Sequence, residues 1–161
     1  MTGGAWNRTF AAMQLTKEEL PHVVIGACME VHKELGPGIA VDGYREALAH
    51  ELRMREVVFK RDETLRLVYK GAEISTSAKL DFLIEDLLIL NVYATKKISG
   101  LEKEELASQL RTAGVETGMI VNFWVEKFRD GVKRLIVSNE EPNVRFREAV
   151  GLWEPLEVKE V

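Results

Sequence analysis

Apolar residues recur at spacings of three and four along the first third of the chain, which predicts an amphipathic helix over residues 16–35. Thr16 followed by Glu19 is typical of a capping box, and Gly36 begins a Gly-Pro-Gly stop. A second helix is predicted over about 42–53. The inner faces of the two helices would be formed by Val23, Val24, Ala27, Cys28, Val31 and Leu35, and by Tyr44, Ala47, Leu48 and Leu52.

Short apolar runs bounded by turn residues replace this spacing in the middle of the chain. They predict strands at 57–60, 65–69, 79–84 and 87–94, with turns at Lys70-Gly71 and Glu85-Asp86. The run that begins at Leu87 is apolar on both faces, as expected of a central strand covered by helices. A third helix over 101–113, ended by Gly114, and strands at 119–124 and 135–137 complete the predicted order.

The length of 161 residues suits one compact domain. We expect a flexible N-terminal tail (1–14), a folded domain (15–138) and a C-terminal extension that packs on it (139–161). No apolar run approaches the ~18 residues of a membrane helix, and the start lacks the pattern of a secretory signal, so cytoplasmic residence is expected. Cys28, the only cysteine, is expected to serve packing.

The formal net charge of −4 disfavours nucleic acid as a partner, because phosphate contacts require clustered lysine and arginine. Two basic clusters nevertheless occur, one made of Arg53, Arg55, Lys60 and Arg61, the other of Lys127, Arg129, Lys133 and Arg134. The simplest interpretation of both is a solvated strand or turn face.

Several segments resemble a known family. Residues 25–38 read IGACMEVHKELGPG and residues 44–48 read YREAL, similar to the opening of the GxxExxY family. Residues 112–114 (TAG) and 121–123 (VNF) are similar to its later ATG and NFG segments, with Trp124 at the final glycine. This family is placed among PD-(D/E)XK nuclease-like proteins. The resemblance therefore implies an α/β, restriction-endonuclease-like αβββαβ core, with a mixed central sheet flanked by helices.

The same alignment shows four departures at the family's catalytic positions. Val41 occupies the place of the motif's glutamate, Asn91 and Tyr93 replace the Glu-x-Lys pair, and Glu105 ends a segment that often reads His-x-x-Gln. Hydrolysis of a phosphodiester with Mg²⁺ needs oxygen ligands, usually carboxylates, and a positive group at the phosphate. An amide is a weaker Mg²⁺ ligand, and a phenol is neutral near pH 7. The resemblance thus implies a nuclease whose catalytic side chains have largely been replaced.

Some candidate site residues remain. Asp81 matches the family's aspartate and is either a metal ligand or a carboxylate that accepts backbone hydrogen bonds near a turn. Glu30 matches the first-helix glutamate and could join Asp81 at a metal, or lie on the helix surface. Tyr44, His32 and Glu105 are expected to line the cleft. His32 could bind a metal, although a lone helical histidine is more often structural.

Three functional hypotheses follow. The first is an inactive nuclease-like domain that needs no cofactor and binds a small ligand or a protein partner in the former cleft. The second is a residual nuclease for DNA or RNA, with Mg²⁺ as cofactor and a relocated lysine chosen from Lys79, Lys96 and Lys97. The third is a structural homodimer formed through an exposed sheet edge or Trp124. Fold resemblance alone does not choose between them.

Overall fold

A computed structural model describes residues 15–137 and the backbone of residues 153 and 154. Two helices, α1 (Leu20–Leu35) and α2 (Val41–Met54), open this part of the chain. The predicted capping box forms just before α1, where the Thr16 N–H donates to Glu19 Oε2 at 3.0 Å and the Glu19 N–H donates to Thr16 Oγ1 at 3.2 Å. Gly36, with φ of 64°, ends the helix.

The strands and the third helix follow in the predicted order. They are β1 (Phe59–Thr64), β2 (Leu67–Tyr69), β3 (Ala72–Ile74), β4 (Lys79–Ile84), β5 (Leu88–Tyr93), α3 (Gly100–Ala113), β6 (Thr117–Asn122), β7 (Val132–Ile136) and β8 (Trp153–Glu154), with a 3-10 turn at Phe128–Gly131. The main sheet has the order β1-β4-β5-β6-β7-β8. Strands β5 and β6 pair in parallel and the neighbouring pairs are antiparallel. Strands β2 and β3 form a separate two-stranded sheet.

Strand β5 lies at the centre, and its side chains divide between two cores. Leu90 and Val92 pack on the face covered by α1 and α2, whereas Ile89 packs under α3. The prediction of a central strand buried on both faces is confirmed. The architecture is a mixed sheet flanked by helices, consistent with the restriction-endonuclease-like fold that the sequence predicts.

Helix α3 is capped at both ends. Ser99 is its N-cap and forms the two contacts of a capping box with Glu102, and Gly114 adopts the left-handed conformation with φ of 69°. Gly118 lets the helix approach β6 closely, because a Cβ there would lie 2.8 Å from the Leu110 side chain and 2.9 Å from that of Leu106.

The strand predictions need correction. The strand expected at 57–60 instead runs from Phe59 to Thr64, because its residues lie on a polar sheet edge where hydrophobicity does not mark a strand. Strands β3 and β8 were also not predicted. The expected tail (1–14) and nearly all of the expected extension (139–161) lie outside the described residues. Within the described residues, no helix is both long enough and apolar enough to cross a membrane.

Candidate functional site

Asp81 lies where the pairing of β4 is interrupted. Leu80 and Phe82 pair with β1, but Asp81 does not, and the pairing with β5 begins only at Phe82. The Asp81 carboxylate connects β5 and α2. Its Oδ2 accepts the Val92 N–H at 2.9 Å, and Arg45 Nη2 lies 3.0 Å from Oδ1 and 3.1 Å from Oδ2. Asp81 therefore joins β4, β5 and α2, with its charge balanced by a guanidinium.

Asn91 is buried beneath α3. Its Nδ2 donates to Gln109 Oε1 at 2.8 Å, and both residues are less than one-tenth exposed. The bond joins the buried face of β5 to α3. A buried amide needs such a partner, because leaving it unpaired costs free energy.

Tyr93, two residues further on the same strand face, also reaches α3. Its hydroxyl donates to Glu105 Oε2 at 3.1 Å. Burial raises the pKa of the Tyr93 phenol, and the nearby carboxylates of Glu105, Asp81 and Glu102 raise it further. The phenol is therefore held neutral within a negatively charged environment. Two of the four departures in the sequence, Tyr93 and Glu105, thus meet each other.

The end of β5 is fixed by β6. Asn122 Nδ2 donates to the Thr95 carbonyl at 2.8 Å, and its Oδ1 accepts the Thr95 N–H at 3.1 Å. The Phe123 N–H donates to the Tyr93 carbonyl at 2.9 Å. These bonds extend the parallel pairing beyond β5 and hold Tyr93 in place opposite α3.

Tyr44 is fully buried and stacks on Phe123, with ring centroids 4.5 Å apart. Its hydroxyl donates to the Gly36 carbonyl at 2.5 Å and accepts the Ile39 N–H at 3.1 Å. The indole N–H of Trp124 donates to the Ile39 carbonyl at 2.7 Å. Tyr44 packs between α2 and the sheet, and its hydroxyl fastens the loop between α1 and α2.

His32 lies on α1 near the 3-10 turn. Its Nε2 donates to the Val125 carbonyl at 2.7 Å, and its ring lies 5.7 Å from that of Phe128. The donating Nε2 cannot at the same time ligate a metal, which leaves Nδ1 as the ring nitrogen with that capacity. The contacts with Val125 and Phe128 attach α1 to the 3-10 turn.

Glu30 and Val41 are both half-buried, on α1 and at the start of α2 respectively. The contacts of Asp81 are with Arg45 and Val92 rather than with Glu30. Val41 packs against the core on the α1 and α2 side. Among the described residues, no group of three or more His, Cys, Asp or Glu side chains is arranged to hold a metal ion.

Two site residues were missed in the sequence, Arg45 and Gln109. Each follows a candidate residue by four positions on a helix: Arg45 follows Val41, and Gln109 follows Glu105. Residues four apart share a helix face, so this spacing could have identified both. Each side chain lies one helical turn from a position that the family resemblance marks as a departure, Val41 or Glu105.

Residues 18–135 match the family model of the PD-(D/E)XK nuclease superfamily. The match covers most of the chain and agrees with the sheet and helix order, so the chain belongs to this superfamily. The chain matches no curated protein and no solved structure.

Proposed function

We propose that this chain is a catalytically inactive PD-(D/E)XK domain of the GxxExxY type, retained as a binding module for a small ligand or a protein partner. The observation that carries the proposal is the pairing of the replaced positions with α3. Asn91 is bonded to Gln109, and Tyr93 is bonded to Glu105. An amide and a neutral phenol stand where the reaction needs a carboxylate and a cation, and both are engaged in the fold.

The remaining carboxylate is engaged as well. Arg45 contacts both oxygens of Asp81, so a divalent cation would have to displace the guanidinium or share the carboxylate with it. A divalent cation bound to Asp81 would lie close to the positive charge of Arg45, and the two would repel each other. On this proposal no cofactor is required, and Mg²⁺ binding at Asp81 and Glu30 is weak.

We place the binding surface around Tyr93 and Glu105, which we call the mouth, and its chemistry indicates the kind of ligand. Glu105 is exposed, and the Tyr93 hydroxyl is directed to it. Glu102 and Asp81 add negative charge near the phenol. Such a mouth favours a ligand or peptide group that is cationic or rich in N–H donors over an anionic one.

The residual-nuclease alternative has less support. A nucleic-acid substrate needs unpaired cations, yet three members of the first basic cluster form ion pairs within the protein. These are Arg55 with Glu51 at 2.9 Å, Lys60 with Asp86 at 3.2 Å and Arg61 with Glu46 at 2.8 Å. Lys79, Lys96 and Lys97 are exposed. They are the residues that this alternative would require to act at the phosphate.

A cleavage assay tests the absence of catalysis. The purified chain should leave single- and double-stranded DNA and RNA intact in Mg²⁺ or Mn²⁺. Cleavage that persists through stringent purification and disappears in Asp81→Ala would overturn the proposal.

Restoration of the motif tests the alignment behind it. The triple variant Val41→Glu, Asn91→Glu, Tyr93→Lys should bind Mn²⁺ more tightly than the parent, because carboxylate ligands are what the site lacks. It should melt at a lower temperature without metal, because unpaired buried carboxylates are costly. Mn²⁺ should raise the melting temperature of the triple variant more than that of the parent. The same triple variant with Asp81→Ala is the control and should lose this metal-induced rise in melting temperature. A triple variant that is indifferent to Mn²⁺ would show that these positions do not converge.

Ligand-observed NMR with small fragments tests the binding role. Amine and amidine fragments should bind in preference to carboxylate fragments, and Glu105→Gln should weaken that binding. Glu104→Gln, on the same helix, is the matched control and should bind as the parent does. A preference for anionic fragments, or equal weakening in both variants, would contradict the assignment of the mouth.

A further inference from the structure

Residues 65–78 connect β1 to β4 and contain the hairpin of β2 and β3; we call this segment the arm. It continues the β1–β4 hairpin, whose last paired residues are Thr64 and Lys79, and the Leu65 N–H donates to the Ala78 carbonyl at 2.9 Å. The arm contains β2 and β3, which form a two-stranded sheet of their own. A hairpin of two strands is only marginally stable in water by itself.

The arm has one apolar face that is open to solvent. Leu67 pairs with Ile74 and Tyr69 pairs with Ala72, and directly opposed residues of an antiparallel pair project to the same face. Leu67, Tyr69 and Ile74 are 37%, 61% and 40% exposed. Leu65 has the same parity and packs against the core under α3. The apolar strip therefore begins at the core and continues outward without a covering element in the described chain.

The charges of the arm do not call for a charged partner. Arg66 Nη2 forms an ion pair with Glu73 Oε2 at 3.0 Å, and the Lys70 ammonium lies over the Tyr69 ring at 5.4 Å. A partner that matches this surface is therefore an apolar strand with little net charge. The arm itself fits that description.

We propose that the arm is a dimerisation element, in which the free edge of β2 pairs antiparallel with the same edge of a second copy. Two arms would then form a four-stranded sheet with one continuous apolar face. The same patch on both copies gives a closed two-fold interface, which does not propagate into fibres.

Charge selects the register. With Leu67 opposite Leu67 of the second copy, Leu65 faces Tyr69 and Arg66 faces Val68. A register centred on Val68 would instead place Arg66 opposite Lys70, and directly opposed like charges are destabilising. The Tyr69–Ala72 pair lies next to the two-residue turn and directs its backbone hydrogen bonds inward, between β2 and β3. The backbone groups of Arg66 and Val68 therefore point outward. In the first register, Arg66 of one copy and Val68 of the other exchange backbone hydrogen bonds.

The base of the arm carries an open groove lined by Thr64, Leu65, Arg66 and residues 73–76. The arm contributes fewer residues than the ~20–30 per partner of a standard interface, so the dimer should be weak and concentration-dependent.

Sedimentation velocity of the full chain over a wide concentration range tests the proposal. The parent should pass from monomer to dimer as concentration rises, and Tyr69→Gln should shift that transition to at least tenfold higher concentration, about 1.4 kcal/mol. Val68→Gln is the matched control: Val68 is 64% exposed but lies on the opposite face, so its dimer should persist. A chain that stays monomeric throughout, or two variants that weaken the dimer equally, would overturn the proposal.

Disulfide cross-linking tests the register independently of affinity. Leu67→Cys should form a covalent dimer on mild oxidation, because residues that face each other across a non-hydrogen-bonded pair have Cα atoms about 4.5 Å apart, within disulfide range. Val68→Cys should cross-link far less, and the native Cys28 is buried and should not contribute. Cross-linking at 68 in preference to 67 would contradict the register.

Discussion

Asn91 and Gln109 form a side-chain hydrogen bond of 2.8 Å in the core between β5 and α3, where each amide depends on the other. Asn91→Leu or Gln109→Leu leaves one buried amide without its partner and should lower the free energy of unfolding by about 1–3 kcal/mol. The double variant Asn91→Leu/Gln109→Leu should recover much of this loss, because both polar groups are then gone. Urea denaturation provides the measurement. Thr112→Leu, on the exposed side of α3, should change stability little, and additive losses in the double variant would show that the two amides are not coupled.

Tyr93 should make the stability of the protein sensitive to alkaline pH. Its folded-state pKa is raised by burial and by Glu105, whereas in the unfolded chain it titrates near ~10. The folded state therefore holds the phenolic proton more tightly, so this contribution is fully present below about pH 10 and is lost as the pH rises above it. Tyr93→Phe cannot ionise and should show a smaller fall in unfolding free energy across this range.

Urea denaturation at a series of pH values compares the two proteins. Tyr69→Phe is the control, because it removes the same hydroxyl group from an exposed site, 61% exposed. If Tyr93→Phe follows the parent at every pH, the phenol is not held neutral by its surroundings.

Two glycines of the α3 region should respond oppositely to alanine. Gly118→Ala forces a methyl group against Leu106 and Leu110 and should destabilise the fold by about 1–3 kcal/mol. Gly100→Ala meets nothing within 4 Å, at the first residue of α3, and should stabilise slightly because alanine has the higher helix propensity. Thermal melts of the two variants check both signs, and equal effects would mean that α3 does not lie as close to β6 as described.

Asp81 should contribute more to stability than the ion pair with Arg45 alone. Asp81→Leu removes the acceptor of the Val92 N–H as well as the ion pair, whereas Arg45→Met keeps the first contact. We expect Asp81→Leu to cost about 1 kcal/mol more than Arg45→Met. Both losses should shrink in high salt by a similar amount, because both variants lack the partly exposed ion pair, so the difference between them should persist. Denaturation at low and high ionic strength measures the loss of unfolding free energy in each variant. Equal losses would show that the hydrogen bond from the Val92 N–H contributes nothing to stability.

Much of the fold was predictable because its helices and central strands carry strong periodic signals. The end of α3 followed from Gly114, and the hairpin of β4 and β5 followed from its apolar runs around Glu85-Asp86. Strand β3 was missed because Ala72–Ile74 is too short to show alternation and is fully exposed. Its pairing depends on the turn at Lys70 and Gly71, both with positive φ, rather than on burial.

The contacts within the candidate site could not be predicted from the sequence. The family resemblance implies that Asn91, Tyr93 and Glu105 are replacements, which stays a prediction, but it gave no reason to pair Tyr93 with Glu105 across two elements. Arg45 and Gln109 escaped notice because a polar residue on a helix is most often solvated. Only the packing of α2 and α3 against the sheet brings those side chains to Asp81 and Asn91.

The parallel pairing of β5 with β6 has a consequence for how the chain acquires its structure. The antiparallel pairs on either side of it join segments close in sequence, whereas β5 and β6 are joined by a longer crossover that contains α3. Contacts between distant segments close slowly, so this docking step should limit the rate of folding. Amide hydrogens of β5 and β6 should accordingly exchange with solvent only through global unfolding, while those of the arm exchange through local opening.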